Sequence, residues 1–575
     1  MPMTHAAPAM ALTTGLALTT GLALAIGMTP VQAAGRSAVS RSAASPFSVS
    51  RAAAARIGPP VPVGRLKITG DLRDGGTVTA RGLSWRPGRV PPGDRVLSFE
   101  VGYSWRACAR GACPRAADST ATPFAASHYI VGHADTGRRL RVTVTATEVV
   151  QTSAARFTFR VLRTRRSYTA RARVAGYPRG RRPVSEFVNG LPERSTGSAE
   201  EYFQVDPPHY SSADGPVAQK FRIDNGRWRT MPRRRVFYTG RLRPGQHRVS
   251  VRTADRAGSS TISFGWRVTR LPAPLRCKGS CWYPPHLNKA GRPMRWDWQI
   301  GRTFPRQRIG RRAIDIYDID GFLTTRAQVR QIHTSWQAAT LRHPKAICYL
   351  DLAWEDYRPD GSPALRGSVV SFPRARSRFP AATLGKVYFG FPQERWVDFR
   401  QLDALKPMLT ARIAMCARKG FDAVELDDID SFDPPQTTGF YLTAGDAQNY
   451  LAFAFNLVHS YGMTALWKNS PLLAKWGTRY TEGAVVEECL AFPPCSAWHV
   501  FTADKTAAQP TGKWVGEAEY GADHVVCDPG KRCKAGMRTF AAFCRAVYAG
   551  PLGFSAVKFD VNLDGKVFFP CPRGR

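Results

Sequence analysis

Between residues 285 and 575 the apolar positions gather into eight short runs: Trp296–Ile300, Ile314–Ile319, Ala346–Leu352, Ala423–Asp427, Thr464–Trp467, Ala484–Glu487, Trp514–Glu519 and Ala556–Phe559. Stretches with helical spacing lie between many of them, over Arg326–Ala338, Leu402–Lys419, Ala447–Tyr461 and Met537–Tyr548. Short strands alternating with helices over this length predict an eightfold parallel barrel, (β/α)8, occupying 285–575. The front of the chain has a different texture. Strand-like alternation at Leu66–Ile68, Thr77–Thr79, Leu97–Val101, Leu140–Thr145 and Phe157–Phe159 predicts an antiparallel sandwich over 63–163. A second all-β segment is expected over 164–270, with hairpin turns at Asn225-Gly226 and Ala257-Gly258. Residues 35–62, rich in Ala, Ser, Arg and Pro, read as a flexible linker, and Leu271–Leu275 opens a stiffer one over 271–284.

Tyr103-Ser104-Trp105 followed by Cys108 and Cys113, and then by Asp135-Thr136-Gly137, resembles the immunoglobulin-like repeats of bacterial secreted proteins. The segment holding Asp224-Asn225-Gly226 and Ala254-Asp255-Arg256-Ala257-Gly258 resembles a second immunoglobulin-like module. Modules of this kind act as spacers or wall-binding units, and no ligand can be named for either.

An apolar run from Ala11 to Met28, followed by Val31-Gln32-Ala33-Ala34, reads as a secretory signal peptide over 1–34. No Lys or Arg precedes the run, so a membrane anchor stays open as the alternative. Four cysteine pairs are close in sequence, Cys108/Cys113, Cys277/Cys281, Cys489/Cys495 and Cys527/Cys533, without zinc-type spacing. They favour disulfides and an extracellular location, with association with the cell wall as an open alternative. Cys348 could bridge to Cys416 and Cys544 to Cys571. The net charge of +39 is uneven: residues 1–275 hold 42 Lys/Arg against 15 Asp/Glu, and residues 276–575 hold 40 against 28. With secretion, an anionic cell-envelope surface is a better partner for the basic front half than nucleic acid, and Arg-rich composition without a specific partner is the alternative. The chain is expected to be a monomer.

Within this basic chain, Gly420–Pro435 (GFDAVELDDIDSFDPP) is densely acidic. Val424 and Leu426 alternate with Glu425 and Asp427, so the acids share one strand face while the apolar pair meets the helices. Two prolines then end the strand, which leaves its carboxylates at a strand C-terminus, the working face of a parallel barrel. The run lacks the glycine and late glutamate of a calcium-binding hand. Other runs also end in polar groups: Asp318 and Asp320, Asp351 and Glu355, Lys468 and Asn469, Glu487 and Glu488, Glu517 and Glu519. A ring of carboxylates, with Trp296, Trp298, Tyr349 and Trp467 as stacking surfaces, suits a sugar, although core packing is the commoner role for each aromatic.

Glycoside hydrolysis needs one carboxylate at the anomeric carbon and a second carboxyl to protonate the leaving oxygen. Asp427 and Glu487, ending the fourth and sixth predicted strands, fit that pair, with Lys468 and Asn469 placed to keep the Asp ionised. Trp296-Asp297-Trp298-Gln299, Tyr317–Phe322, Glu355–Asp360, Arg395–Arg400, Glu425-Leu426-Asp427, Trp467-Lys468-Asn469, Val486-Glu487-Glu488-Cys489 and Glu519-Tyr520 follow the order of motifs in glycoside hydrolase family 114, which the chain resembles over 285–575. That resemblance implies a TIM barrel without cofactor or metal, acting on α-1,4-linked galactosamine or N-acetylgalactosamine polysaccharide. It also implies endo action and retention, with Asp427 as nucleophile and Glu487 as acid/base. Asp428 and Glu488 depart from the Asn and Gln usual in the family and leave substrate identity open. Asp320, Tyr349, Glu355, Arg358, Asp360, Glu425, Asp428, Lys468, Asn469, Glu519 and Trp298 are the expected sugar-binding or supporting groups; Arg358 with Asp360, and Asp398 with Arg400, could equally be loop ion pairs. A barrel that holds wall or matrix glycan without turnover is the rival reading.

Overall fold

The computed structural model describes residues 57–571 apart from 92–94, 110–112, 114–127, 152–158, 189, 280, 302–307, 336–337, 340, 356–357, 359–378, 381–382, 389–390, 433–437, 490–494, 521–543, 545–551 and 560–562. The expected signal peptide, most of the linker after it, Asp360, the Cys527/Cys533 pair and nearly all of the helix expected over 537–548 lie outside the described residues.

All eight predicted barrel strands form: β1 (Trp296–Gln299), β2 (Ile316–Asp320), β3 (Lys345–Asp351), β4 (Ala423–Asp427), β5 (Thr464–Lys468), β6 (Gly483–Glu487), β7 (Trp514–Tyr520) and β8 (Ser555–Phe559). They pair parallel in chain order, and the short strand Phe569–Pro570 adds antiparallel to β8 to complete a nine-stranded sheet. The sheet curls until β1 and β8 come into contact.

Side-chain parity sorts each strand between two cores. Val424, Leu426, Ala465, Trp467, Ala484, Val486 and Val515 face outward into a cluster shared with the helices. Trp296, Ile316, Ile347, Ala423, Leu466, Val485, Trp514 and Val557 fill the interior. Since the strand repeat is two residues, the next inward positions toward the C-terminal ends are Asp318, Tyr349, Glu425, Lys468 and Glu487, with Asp320, Asp351 and Asp427 above them. The barrel is therefore greasy at its base and charged at its mouth. Trp296 and Trp467 are fully buried, the first among Trp298, Trp514 and Phe559, the second against Phe455 and Trp476. Neither offers the stacking surface expected of it, because apolar packing claims both ring faces.

Helix α1 (Arg326–Thr334) starts at a Thr325/Gln328 capping box, and α2 (Leu402–Lys419) stops at Gly420, whose φ of 86° takes the left-handed conformation that a side chain resists. Helix α3 (Ala444–Ser460) begins three residues before the expected start because Thr443 caps it and Asp446 answers the cap. A small antiparallel sheet, Trp354–Glu355, Leu384–Tyr388 and Phe391–Val397, is inserted between β3 and α2. Disulfides join Cys348 on β3 to Cys416 on α2, and Cys544 to Cys571; Cys108–Cys113, Cys277–Cys281 and Cys489–Cys495 also form.

Ahead of the barrel the chain is all β. Strands Val61–Gly70, Thr77–Arg86 and His128–Ile130 make one antiparallel sheet, and Arg95–Cys108, Arg139–Gln151 and Phe159–Thr169 a second. They share a core that includes Val78, Trp105, Tyr129, Leu140 and Val142. Further along, Gly245–Asp255 and Gly258–Val268 form the hairpin expected at Ala257-Gly258, and Ala218–Ile223 turns through Asn225-Gly226 to Arg229–Thr230. The immunoglobulin-like assignment is not carried by this pairing. This second β region touches the barrel at the helix starts: Gly197 N–H donates to Asn449 Oδ1 at 3.0 Å, and Asp403 N–H at the start of α2 donates to Glu193.

Candidate active site

Three neighbouring strands end with the same local device. After the inward Asp427, Lys468 and Glu487, the following residues Asp428, Asn469 and Glu488 adopt positive φ of 56°, 40° and 46°. A left-handed residue breaks the extended chain at once, so each inward side chain is the last of its strand and stands at the mouth. Such conformations cost roughly 1–3 kcal/mol each for residues other than glycine and persist where the surroundings hold them. Here backbone bonds do so: Asn469 N–H donates to Val485 O at 3.1 Å, and Glu488 N–H to Ala518 O at 2.8 Å.

Lys468 is the hub. Its Nζ lies 2.7 Å from Asp427 Oδ2, 3.0 Å from Glu425 Oε1 and 3.3 Å from Glu487 Oε2, and sits 4.6 Å over the Trp298 ring. Two oxygens that touch one nitrogen at 2.7 and 3.3 Å are separated by at most the sum of those distances, about 6.0 Å. The Lys468 side chain is 1% exposed, whereas those of Asp427 and Glu487 keep 18% and 26%, so these two carboxylates are the members of the hub that a ligand can reach. Asp427 also accepts from Tyr349 Oη at 2.9 Å and from the Asp428 N–H at 2.8 Å. Glu487 accepts from Asn469 Nδ2 at 2.9 Å and from the Tyr520 hydroxyl, while its own N–H donates to Asn469 Oδ1 at 2.9 Å. Asn469 thus serves Glu487 rather than Asp427, the partner expected for it.

Burial alone would lower the Lys468 pKa; Asp427, Glu425 and Glu487 override it and hold the ammonium well above its ordinary value. Beneath it, burial and the Glu425 charge push the Asp318 carboxyl well above the ordinary carboxylate range. Burial likewise raises Glu425 to about 7, against the opposing pull of Lys468. Tyr349 and Tyr520 are pushed well above their usual value, first by burial and then by Asp427 and Glu487 respectively, so both stay hydrogen-bond donors.

Five expected contributors do work other than touching a sugar. Arg358 grips Asp320 through both terminal nitrogens, at 2.7 and 3.1 Å, and Glu355 through Nε at 2.8 Å, all three nearly inaccessible. Their charges are spent on one another, which places all three among the supporting groups. Asp398 and Arg400 form the ion pair considered for them, at 2.8 Å and buried. Trp298 is 1% exposed beneath Lys468 and supports the ammonium instead of a sugar face. Glu519 is corrected by parity: Trp514 and Ala518 face the interior and Val515 the outer core, so Glu517 and Glu519 point away from Asp427. Asp318, named only among the strand-end acids, and Tyr520, named only within a motif, had no role assigned to them. The parity that excludes Glu519 selects Tyr520, and Asp318 shares its face with Asp320.

Among the described residues, two acidic groupings bring ligand atoms within 4.8 Å of one another. Cys489, Glu517 and Glu519 cannot use the cysteine, whose sulfur bonds Cys495. Asp351, Glu394 and Asp428, beside Asp427, could hold a cation; burial and the neighbouring acids raise Asp351 to about 8 and Asp428 well above its ordinary range. Glu488 rises to about 7 through burial and the charges of Glu519 and Glu487.

An eight-stranded parallel barrel with facing carboxylates at its C-terminal mouth defines a glycoside hydrolase of TIM-barrel type. The sequence matches glycoside-hydrolase family GH114 over residues 278–573, and the chain belongs to that family. Among solved structures it is similar to Aspergillus fumigatus Ega3 in complex with galactosamine, at 22% identity over 52% of this chain and 100% of that one, with a TM-score of 0.40. It is also similar to the glycoside hydrolase domain of PelA variant E218A from Pseudomonas aeruginosa, at 15% identity over 48% and 98%, TM-score 0.30. A putative alpha-galactosidase from Bacteroides fragilis NCTC 9343 matches at 10% identity over 52% and 56%, TM-score 0.21. No curated protein matches the chain.

Proposed function

We propose that the protein is a secreted, endo-acting, retaining glycosidase that cleaves α-1,4-linked galactosamine or N-acetylgalactosamine polysaccharide. The observation that carries this reading is the shared ammonium. Asp427 and Glu487 reach one Lys468 nitrogen, so their nearest oxygens are no more than about 6.0 Å apart. Retaining pairs stand about 5–5.5 Å apart, and inverting pairs, which must admit a water, about 6.5–9.5 Å.

In the first step a carboxylate oxygen of Asp427 forms a bond to the anomeric carbon while the bond to the leaving oxygen breaks and Glu487 gives that oxygen its proton. In the second, water attacks the same carbon, Glu487 takes the water's proton, and Asp427 leaves as carboxylate. Lys468, Tyr349 and the Asp428 N–H stabilise Asp427 as the anion it must be before attack and after release. Asn469 and Tyr520 orient Glu487 toward the leaving oxygen. Ega3 was solved with galactosamine, and the acidic cluster of Asp351, Glu394 and Asp428 beside Asp427 offers acceptors to a cationic amino sugar.

Asp427→Asn and Glu487→Gln are expected to fold normally and to release no oligosaccharides from deacetylated galactosamine polymer, read by reducing-end assay and mass spectrometry. Full activity in both variants would overturn the assignment.

A further inference from the structure

We propose that the outer face of the sheet formed by Arg95–Cys108, Arg139–Gln151 and Phe159–Thr169 is a docking surface for a linear phosphodiester polyanion. It is independent of the catalytic reading and turns the diffuse basic charge of the front half into one defined surface.

On the middle strand the alternation over 139–146 is strict: Leu140, Val142, Val144 and Ala146 are buried, so Arg139, Arg141, Thr143 and Thr145 face the other way. The register sets Arg106 directly opposite Arg141, Ser167 opposite Thr143, and Arg165 opposite Thr145, with Arg163 one inward–outward repeat further on. Arg106, Arg139, Arg141, Arg163 and Arg165 are all exposed. None of the five makes an ion pair among the described residues. By register Glu100 stands opposite Thr147 at one corner, the one acidic outward position among the described residues.

Like charges directly opposite each other across an antiparallel pair destabilise a sheet. Arg106 facing Arg141 without a bridging acid is therefore an arrangement that the fold tolerates rather than uses, and an anion laid between them would relieve it. Same-face neighbours along a strand are about 6.6–6.8 Å apart, so the arginines at the Arg106/Arg141 end and at the Arg163/Arg165 end are bridged by hydroxyls over a stripe of about 20 Å. The hydroxyls favour phosphate: guanidinium binds the charge in two-pronged fashion, and serine and threonine donate to the remaining oxygens. Among the described residues between Arg139 and Arg163 no outward position is aromatic, Phe159 coming in register four positions beyond Arg163, so the stripe itself lacks a stacking platform and single-stranded nucleic acid is the disfavoured occupant.

The test uses the full chain with soluble poly(glycerol phosphate), single-stranded DNA and uncharged dextran as probes. Poly(glycerol phosphate) is expected to bind, with log K falling against log salt by about 0.7 for each phosphate neutralised. The variant carrying Arg139→Ser, Arg141→Ser, Arg163→Ser and Arg165→Ser should lose at least tenfold in affinity and show a shallower salt slope, while its circular dichroism and its hydrolysis of galactosamine polymer stay unchanged. Wild-type binding by that variant, or equal or tighter binding of the DNA by the unmodified chain, would overturn the proposal. A companion variant with Arg171→Ser and Arg173→Ser, outside the sheet, should bind like the parent.

Discussion

Replacing Lys468 by methionine removes one positive charge from the contact point of three carboxylates while nearly conserving side-chain volume. At 2.7 Å, in an effective dielectric of about 20, a unit pair is worth about 6 kcal/mol. Part of this offsets the desolvation of a side chain that is 1% exposed, and Asp427, at 18%, is partly screened by water. Breaking a buried pair from one side typically costs about 3–5 kcal/mol, which sets the loss of barrel stability. The fraction of this that is felt at the reacting carboxylates is set by analogy with the removal of one preorganised electrostatic donor, about 2.7–4 kcal/mol or 10²–10³ in kcat. Without the ammonium, Glu425, Asp427 and Glu487 repel one another, and the shared burden of charge moves the acid limb of the pH–rate profile upward. The assay is reducing-end release from deacetylated galactosamine polymer between pH 4 and 9 for parent and Lys468→Met. A variant that keeps more than a third of the parent kcat, with its acid limb unmoved, would refute the reasoning that Lys468 couples the pair.

Tyr520→Phe removes the hydroxyl that donates to Glu487 and should lower kcat about tenfold with little change in KM, a split that steady-state kinetics resolves. Arg358→Ala strands Asp320 and Glu355 in the interior and should cost about 3–5 kcal/mol of barrel stability in thermal unfolding; a raised KM without destabilisation would restore its sugar-binding role. His209 is held between Asp206 Oδ2 at 2.9 Å and Asp74 Oδ1 at 2.8 Å; burial opposes its proton, but those two acids raise its pKa from 6.5 to about 10. A raised folded-state pKa gives stability that is full below about 6.5 and lost as pH rises through about 10, so the melting temperature of the parent should fall over that range more than that of His209→Gln.

The barrel was legible because its eight strands are short apolar runs whose order equals their order in space, so no long-range choice had to be made. The catalytic candidates followed from parity at Val424-Glu425-Leu426-Asp427, where the acids fall opposite the helices' apolar face. Parity applied equally to Trp514–Tyr520 excludes Glu519 and selects Tyr520, a signal present but overridden by reading every strand-end acid as part of the ring. What sequence could not carry was the direction of charges across space: that Arg358 faces Asp320, thirty-eight positions earlier, is decided by packing between β2 and the inserted sheet. The large aromatics misled for a related reason, since Trp296 and Trp467 look the same in sequence whether a ring meets a sugar or Phe455. The αL residues at Asp428, Asn469 and Glu488 also went unread, because none is a glycine.

The central claim is that Asp427 and Glu487 work as a close pair through a covalent glycosyl-enzyme. Proton NMR of the reducing end formed in the first minutes of hydrolysis of an α-linked galactosamine polymer tests it directly. The account predicts that the α-anomer appears first and mutarotates afterwards; initial release of the β-anomer would contradict it.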